Sequence, residues 1–218
     1  MDRAWTRTAH PEHRQALALA LNELETSSLL EGRARVEGLL CLAEVRSSRG
    51  ETANIEGVAR KIEALARDIG HASALGRAFC LLGDVLEAQG KLEAAQAAFG
   101  EYLVISRHLA EQDRGNAVWQ RDLAVAHSKV GGVLEAQGKL EAAQSAFGAY
   151  LAISRHLAEQ DPSNAGWQRE SAVAHSMVGG VLQAQGKLEA AQAAFGEYLA
   201  ISRRLAEQDP SNADRHSD

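Results

Sequence analysis

The chain contains three near-copies of one short stretch of sequence. The first copy is Gly83-Asp84-Val85-Leu86-Glu87-Ala88-Gln89-Gly90-Lys91-Leu92-Glu93-Ala94-Ala95. The run returns from Gly131 to Ala143 and again from Gly179 to Ala191, which gives a period of 48 residues. A self-similar period of this length is typical of stacked supersecondary units, each of which buries its apolar side against its neighbours. We therefore expect the function to reside on a surface rather than in an enzyme core.

Composition favours long helices and limits the classes of partner. The 218 residues include only 3 prolines and are 45% hydrophobic, enough for a large buried core. A net charge of -6 argues against a binder of nucleic-acid phosphates, for which a basic stripe is typical. No stretch reaches the roughly 18 consecutive apolar residues that a membrane span requires, and no signal-peptide cleavage pattern follows the N-terminal residues. These features predict a cytoplasmic protein that binds neither nucleic acid nor membrane.

The residues that could act in catalysis or metal binding do not form a recognisable site in the sequence. His127 and His175 are copies in a core-facing aromatic position, whereas His108 and His156 are copies whose third counterpart is Arg204. An arginine in one copy is incompatible with a repeated metal ligand. No Ser/His/Asp or Cys/His arrangement has a usable spacing. We expect no enzyme activity, no cofactor and no metal.

Two cysteines, Cys41 and Cys80, lie far apart in apolar helical stretches. Their number and spacing disfavour a disulfide framework or a zinc site, so both are expected to be reduced and buried. The glycine pairs at 131–132 and 179–180 lack the Gly-Lys-Ser/Thr continuation of a phosphate loop. Close packing of helices is the better explanation for these pairs.

Each unit divides into two helices at a glycine. In the third unit, Asn116 is the expected N-cap of the first helix and Gly138 its left-handed C-cap. The second helix is expected from Lys139 to about Gln160, where Pro162 prevents its continuation. Apolar residues recur at spacings of three and four, so each helix has one apolar stripe and the two helices form an antiparallel hairpin. The stripes are Trp119, Leu123, His127, Val130 and Leu134 on the first helix, and Leu140, Ala143, Phe147, Tyr150 or Leu151, and Leu157 on the second.

These residues resemble the tetratricopeptide repeat (TPR) family. Its pattern places a Leu-Gly pair on the first helix and an Ala shortly before a Phe on the second, and the matches here are Gly83, Ala95 and Phe99; Gly131, Ala143 and Phe147; and Gly179, Ala191 and Phe195. The unit is longer than the usual repeat of about 34 residues, because both helices are extended by about two turns. It looks like the long-helix variety of bacterial repeat arrays, similar in style to kinesin light chains. The resemblance implies an all-α fold, a right-handed α-solenoid of stacked antiparallel helix hairpins forming a TPR-like superhelix.

The resemblance weakens upstream but suggests a division of the whole chain. An N-terminal helix is expected from Pro11 to about Glu25, and the second helix of a degenerate first repeat from Thr52 to Asp68. The predicted domains are an N-terminal capping helix region at 1–32, repeats at 33–70, 71–115, 116–163 and 164–213, and a tail at 214–218.

The resemblance also implies a function and a site. TPR proteins bind their ligands in the concave groove lined by the first helices, so we expect a non-catalytic scaffold that binds a peptide or protein segment there. Chaperone-binding members use Lys, Arg and Asn at these positions, and their absence here disfavours a chaperone co-adaptor. The small residues in the set fit close helix packing as well as a groove. The groove positions are Arg77, Cys80, Asp84, Glu87, Val125, Ser128, Gly132, Glu135, Val173, Ser176, Gly180 and Gln183.

Two other functions stay open alongside the groove. The last helix repeats the apolar residues of its predecessors, and no further repeat helix follows it in the sequence. This predicts a homodimer, or a self-assembling structural protein, formed through the C-terminal hairpin by a face that contains Tyr198, Leu199 and Leu205. The chain also fits a sensor or specificity segment of a larger bacterial regulatory system, because similar arrays accompany protease or nucleotide-switch domains. The identity of the partner stays open in each case.

The copies are nearly identical on their exposed side as well as in their core. Residues 131–165 and 179–213 differ only at the pairs Glu135/Gln183, Ser145/Ala193, Ala149/Glu197 and His156/Arg204. Exposed residues normally drift because their substitution changes stability little. Recent duplication explains the identity, and selection for a uniform surface is the alternative.

Overall fold

The computed structural model describes residues 31–48 and 55–208, and every regular element in this part of the chain is an α-helix. The predicted all-α class is therefore confirmed there. The expected helix from Pro11 to about Glu25 and the C-terminal tail lie outside the described residues. The eight helices are α1 (Gly32–Ser48), α2 (Ile55–Asp68), α3 (Ala72–Ala88), α4 (Leu92–Gln112), α5 (Ala117–Ala136), α6 (Leu140–Gln160), α7 (Ala165–Ala184) and α8 (Leu188–Gln208).

The chain forms two compact units, residues 1–105 and 106–218. We refer to them as unit 1 and unit 2. Their boundary falls inside α4 and coincides with none of the predicted repeat boundaries. The division of the chain into repeat domains accordingly stays a prediction from the sequence.

A glycine with a left-handed backbone conformation ends the first helix of the hairpins α3–α4, α5–α6 and α7–α8. Gly138 has φ of 74°, a conformation that L-residues with a side chain rarely adopt. Its amide donates to the Glu135 carbonyl oxygen at 2.8 Å, and the Lys139 amide donates to the Leu134 carbonyl oxygen at 2.9 Å. These two bonds make the Schellman motif, which satisfies the last carbonyls of the helix. The expected C-cap is confirmed, and its copies have φ of 73° at Gly90 and 75° at Gly186.

Asparagine begins the first helix in both later copies. The Oδ1 atom of Asn116 accepts from the backbone amides of Val118 at 3.1 Å and Trp119 at 3.2 Å. Asn164 caps α7 through the equivalent amides. These bonds satisfy amides that the helix itself leaves without partners. The predicted N-cap is confirmed, as is the end of α6 before Pro162.

Unit 1 has a core of aliphatic side chains from α1, α2 and α3. Residues such as Leu39, Leu42 and Ile62 are almost completely buried in it. Cys41 lies among them in the sequence but is exposed, so its predicted burial was wrong. Consecutive helical residues point about 100° apart, and apolar neighbours in sequence therefore do not place a residue on the core face. Cys80, on α3, is partly buried.

A glycine opposite a phenylalanine sets the close approach of each hairpin. A Cβ atom on Gly131 would lie 2.6 Å from the Phe147 ring, and one on Gly179 would lie 2.8 Å from the Phe195 ring. The pair Gly83 and Phe99 in unit 1 is closer still. Any side chain at these glycines would push the two helices apart. Close packing thus explains the first glycine of each predicted pair.

Small residues lie deepest in the first helices of unit 2. Ala124 and Ala126 of α5 have no exposed surface, whereas Trp119 and Leu123 of the predicted stripe are only half-buried. Ala124 joins α5 to α6 and α7 in one apolar cluster, and where helices pass this closely only small side chains fit between them. Leu134 of the predicted stripe is buried as well. On α6, the buried member of the Tyr150 or Leu151 alternative is Tyr150.

Candidate functional site

Eight of the predicted groove residues share one face of α5 and α7 in unit 2, and none of them is buried. A Cβ atom added at Gly132 or Gly180 would meet nothing within 4 Å. Close helix packing, expected for these second glycines, is therefore wrong, because the space above them is open. The eight residues are Val125, Ser128, Gly132, Glu135, Val173, Ser176, Gly180 and Gln183.

Side-chain contacts join the first helices α5 and α7 to each other. Ser128 Oγ lies 3.4 Å from Met177 Sδ, so its hydroxyl is engaged with the neighbouring helix. Arg121 Nε donates to Glu170 Oε1 at 2.6 Å, an ion pair at the beginning of both helices. These contacts place the α5 and α7 groove faces side by side.

In unit 1, the other four predicted residues lie on α3 and are all partly buried. They are Arg77, Cys80, Asp84 and Glu87. Arg77 Nη1 lies 3.7 Å from Glu37 Oε2 of α1, so its positive charge is partly compensated. Asp84 and Glu87 add two carboxylates to this face.

Two clefts on the other side of the first helices were not predicted. Cleft A, of about 400 Å³, lies over α5 between the end of α4 and α6, and its lining includes Arg107, Ala110, Glu111, Arg114, Gln120, Leu123 and His156. Cleft B, of about 610 Å³, lies over α7 between α6 and α8, and its lining includes Arg155, Ala158, Glu159, Pro162, Gln168, Ser171, His175, Glu197, Ala200, Ile201 and Arg204. The two clefts are copies of one position in the repeat.

Histidines face this side of the first helices, and burial alters their protonation. Desolvation lowers the pKa of His127, and the nearby Arg107 guanidinium lowers it further. Desolvation also lowers the pKa of His175, where the Glu197 carboxylate opposes the shift and Arg155 adds to it. The sequence placed both histidines in a core-facing position, but their side chains are only half-buried, and His175 lines cleft B.

Divergence between the copies is the sequence signal that marks the clefts. Residues 116–160 and 164–208 differ at eight positions. Seven residues of the span 164–208 line cleft B. Three of the eight differences fall at these seven residues, and they are the pairs Leu123/Ser171, Ala149/Glu197 and His156/Arg204. Substitution is thus concentrated at the clefts. The same comparison made on the sequence could have identified them.

A metal centre and a membrane span are two further kinds of site to consider in residues 31–48 and 55–208. No group of three or more His, Cys, Asp or Glu side chains there could hold a metal ion. None of the eight helices combines the length and apolar character needed to cross a membrane.

The α3–α4 hairpin matches a known repeat family. Residues 76–107 fit the family model described as the tetratricopeptide repeat. This hairpin is therefore similar to one tetratricopeptide repeat. Such repeats serve in general as non-catalytic modules for protein interaction, so a protein-interaction scaffold is supported at this general level. No curated protein matches the sequence.

Solved structures of tetratricopeptide repeat proteins have the same fold. BtubC (BKLC) from P. vanneervenii has 15% identity and a TM-score of 0.70 over 89% of this chain and 75% of its own. MamA has 17% identity and a TM-score of 0.62 over 90% and 94%. A Podosopora anserina protein of kinesin light chain type, with nearly identical TPR-like repeats, has 13% identity and a TM-score of 0.62 over 90% of each chain. Identities this low show a shared α-solenoid fold class and the long-helix style, and nothing of a shared ligand.

Proposed function

We propose that the chain is a non-catalytic scaffold that binds a peptide or protein segment along the partly exposed groove face of its first helices. The observation that carries this proposal is the repeated Val-Ser-Gly face of α5 and α7. Its residues are unburied in both copies, and the space above Gly132 and Gly180 is open. The tetratricopeptide repeat match adds support, because members of this family generally bind protein or peptide partners.

The glycines make the helix backbone accessible at this face. A glycine inside a helix costs about 1 kcal/mol relative to alanine, and no packing contact at Gly132 or Gly180 offsets that cost. Without a Cβ atom, a partner can approach the backbone of α5 and α7 more closely. Glu135 lies one turn further along α5, and a basic segment is the complementary ligand.

Blocking this face with large side chains tests the proposal. The double variant Gly132→Arg with Gly180→Arg places a large side chain on this face, and its Cβ atoms meet no neighbour within 4 Å. The matched control is Gly148→Arg with Gly196→Arg, because these glycines of α6 and α8 also face open space. We expect partners captured from cell extract by the wild type and the control to be lost with the first variant. Equal recovery by all three proteins, with unchanged helicity, would exclude this face as the binding site.

The charge of the face has its own test. Glu135→Lys reverses one partly exposed charge, and such a charge contributes little to folding. We expect weaker capture of basic partners with a nearly unchanged thermal midpoint. Glu141→Lys, an exposed position on α6, is the control for the change in net charge. Equal capture by the two variants would remove the acidic character of the face from the proposal.

Self-association through α8 is a second candidate, favoured by its exposed apolar residues. Leu199 is 49% exposed and Leu188 is 65% exposed. Tyr198 and Leu205, the other members of the predicted face, are partly buried. Covering a few hundred Å² of apolar surface gives several kcal/mol at roughly 25 cal/mol per Å², before the entropic cost of association. A two-fold dimer in which each α8 covers the other is the simplest arrangement.

The mass in solution tests this second candidate. We expect light scattering to show a dimer that dissociates on dilution. Tyr198→Glu should shift the mass to that of a monomer and leave helicity intact. Val118→Glu, a charge at a residue that is 67% exposed on α5, is the control. A wild type that is monomeric at high concentration, or a mass lowered equally by both variants, would reject association through α8.

A further inference from the structure

Two arginines border cleft A without an ion-pair partner. Within the described residues, neither Arg107 nor Arg114 pairs with a carboxylate. The copy of Arg107 on α6 behaves differently, because Arg155 Nη2 lies 3.4 Å from Glu159 Oε1. Glu111 stands at the same spacing from Arg107 but does not form this pair. Cleft A therefore presents two uncompensated guanidinium groups and one carboxylate.

The backbone that carries these arginines is held in place from the floor of the cleft. Gln120 Nε2 donates to the Ala110 carbonyl oxygen at 3.2 Å and to the Arg114 carbonyl oxygen at 3.4 Å. Leu123 adds a half-buried apolar surface on the same helix. A volume of about 400 Å³ accommodates a few side chains. The cleft thus combines a fixed frame, an apolar floor and a positive rim.

Cleft B keeps this frame but changes its chemistry. Pro162 replaces Arg114, Ser171 replaces Leu123, Arg204 replaces His156, and Glu197 stands where the other copy has Ala149. Each cleft has two arginines, but in cleft B Arg155 pairs with Glu159 and Arg204 donates to Gln168 Oε1 at 2.9 Å. Cleft B also loses an apolar contact and gains a carboxylate. A carboxylate at this point disfavours an acidic ligand by like-charge repulsion.

We propose that cleft A is a binding site for an acidic, Asp- or Glu-rich segment of a protein partner, with an apolar residue of that segment against Leu123. A carboxylate is complementary to the planar guanidinium groups of Arg107 and Arg114.

The site is separate from the groove face and independent of it. On α5, Gln120 and Leu123 point about 140° away from Val125, Ser128 and Gly132, at about 100° of rotation per residue. Occupation of cleft A therefore leaves the groove face open. The two sites can be tested on the same protein without interfering.

A blocked peptide of four glutamates around one leucine is the probe. Titrated into the full chain with amide chemical shifts as the readout, it should shift the end of α4, the beginning of α5 and α6 near His156. Arg107→Gln with Arg114→Gln should weaken binding about tenfold or more, because two charge-assisted contacts are removed. Arg169→Gln with Arg203→Gln, exposed arginines outside both clefts, should change it little beyond the general loss of charge. The same peptide with lysines in place of glutamates should not bind.

The internal copy supplies a gain-of-function test. Pro162→Arg, Glu197→Ala and Arg204→His together give cleft B the charged groups of cleft A, and we expect a second set of shifts around α7 and α8. Three results would overturn the proposal: no shifts at cleft A, equal binding of the lysine peptide, or unchanged affinity in the Arg107 and Arg114 double variant. Shifts confined to Ser128 and Gly132 would overturn it as well, while supporting the groove.

Discussion

Helices α6 and α8 have nearly the same sequence and very different surroundings. Eighteen of their 21 residues are identical. Phe147 and Leu157 of α6 are each 1% exposed, whereas their copies Phe195 and Leu205 in α8 are only partly buried. In unit 2, α6 packs against both α5 and α7, and α8 packs against α7. Burial in a repeat protein is therefore set by the neighbours of a helix and not by its residues alone.

Helix α7, the second neighbour of α6, adds hydrogen bonds to the packing of α6. The Tyr150 hydroxyl donates to the Glu170 carbonyl oxygen at 3.3 Å, and burial raises the pKa of this tyrosine, with the Glu170 carboxylate as a second cause. Gln168 Nε2 donates to the Ala158 carbonyl oxygen at 2.9 Å. Both Tyr150 and Ala158 have identical copies in α8. The same side chains are thus available there for a covering helix or for a second protein.

The largest expected difference between α6 and α8 is at their phenylalanines. Phe147→Ala should destabilise the protein by about 3–5 kcal/mol, because it leaves a cavity in a fully buried cluster. Phe195→Ala should cost about half as much, since its ring is already partly solvated. Urea unfolding measures both values. Hydrogen exchange should show that Phe147→Ala loosens α5 to α8 before α1 to α3, as nearest-neighbour stability requires. Equal costs, or uniform loss of protection along the chain, would contradict this account.

Alanine substitutions at the adjacent glycines of α5, Gly131 and Gly132, should change the free energy of unfolding in opposite directions. Gly131→Ala should destabilise by about 1–3 kcal/mol, because its Cβ atom would overlap the Phe147 ring. Gly132→Ala should stabilise by about 0.5–1 kcal/mol, because the helix gains propensity and nothing lies in the way. Gly179→Ala should cost less than Gly131→Ala, since the less confined Phe195 ring can move. Thermal denaturation of the three variants checks the order, and the same sign for both α5 variants would refute it.

Comparing Tyr150 of α6 with its copy Tyr198 of α8 measures the contribution of one hydrogen bond between α6 and α7. Tyr150→Phe removes the bond to the Glu170 carbonyl and should cost about 1 kcal/mol. Tyr198→Phe should change the free energy of unfolding by a few tenths of a kcal/mol at most, because no such bond is formed at Tyr198 in the described part of α8. Chemical denaturation of both single variants gives the difference. If Tyr198→Phe proves the more costly change, α8 is covered in solution.

The smallest expected effect is a pH dependence that differs between the two clefts. The pKa values of His127 and His175 are lowered from the ordinary value of 6.5, so the folded state favours their neutral forms. The resulting stability is present above that value and is lost as pH falls below it. We expect the thermal midpoint to drop between about pH 7.5 and about pH 5.5, and His127→Gln to reduce the drop. His175→Gln should reduce it less, because Glu197 favours the charged form there. His108→Gln, an exposed position, is the control, and an equal effect of all three variants would refute the assignment.

Much of the fold could be predicted because it depends on local chemistry. The period of 48 residues, the cap at Asn116 and the left-handed Gly138 each act within a few residues, and the structure has them as expected. The hairpin contact followed from the repeated Gly and Phe. The burial of Cys41 was mispredicted because the apolar character of its neighbours does not specify which face of α1 packs.

The candidate sites depended on more than one helix, and the sequence predicted them less well. The groove face was located through family resemblance, and its residues are unburied, but whether it binds a partner stays a prediction. The clefts went unnoticed because each takes its lining from three helices, among them α4, α5 and α6 for cleft A. Their only trace in the sequence is the divergence between otherwise similar copies.

The sequence by itself determined that the chain forms helical hairpins, where each helix begins and ends, and which residues repeat from one hairpin to the next. Capping, backbone conformation and apolar periodicity are short-range effects, and identical sequences produce them identically. Only the tertiary structure decided that Phe147 is buried and Phe195 partly exposed, that Gly131 is confined and Gly132 open, and that Arg107 lacks the ion pair of Arg155. Those properties depend on which helix lies alongside, because burial and charge pairing are set by distances between segments that are far apart in the chain.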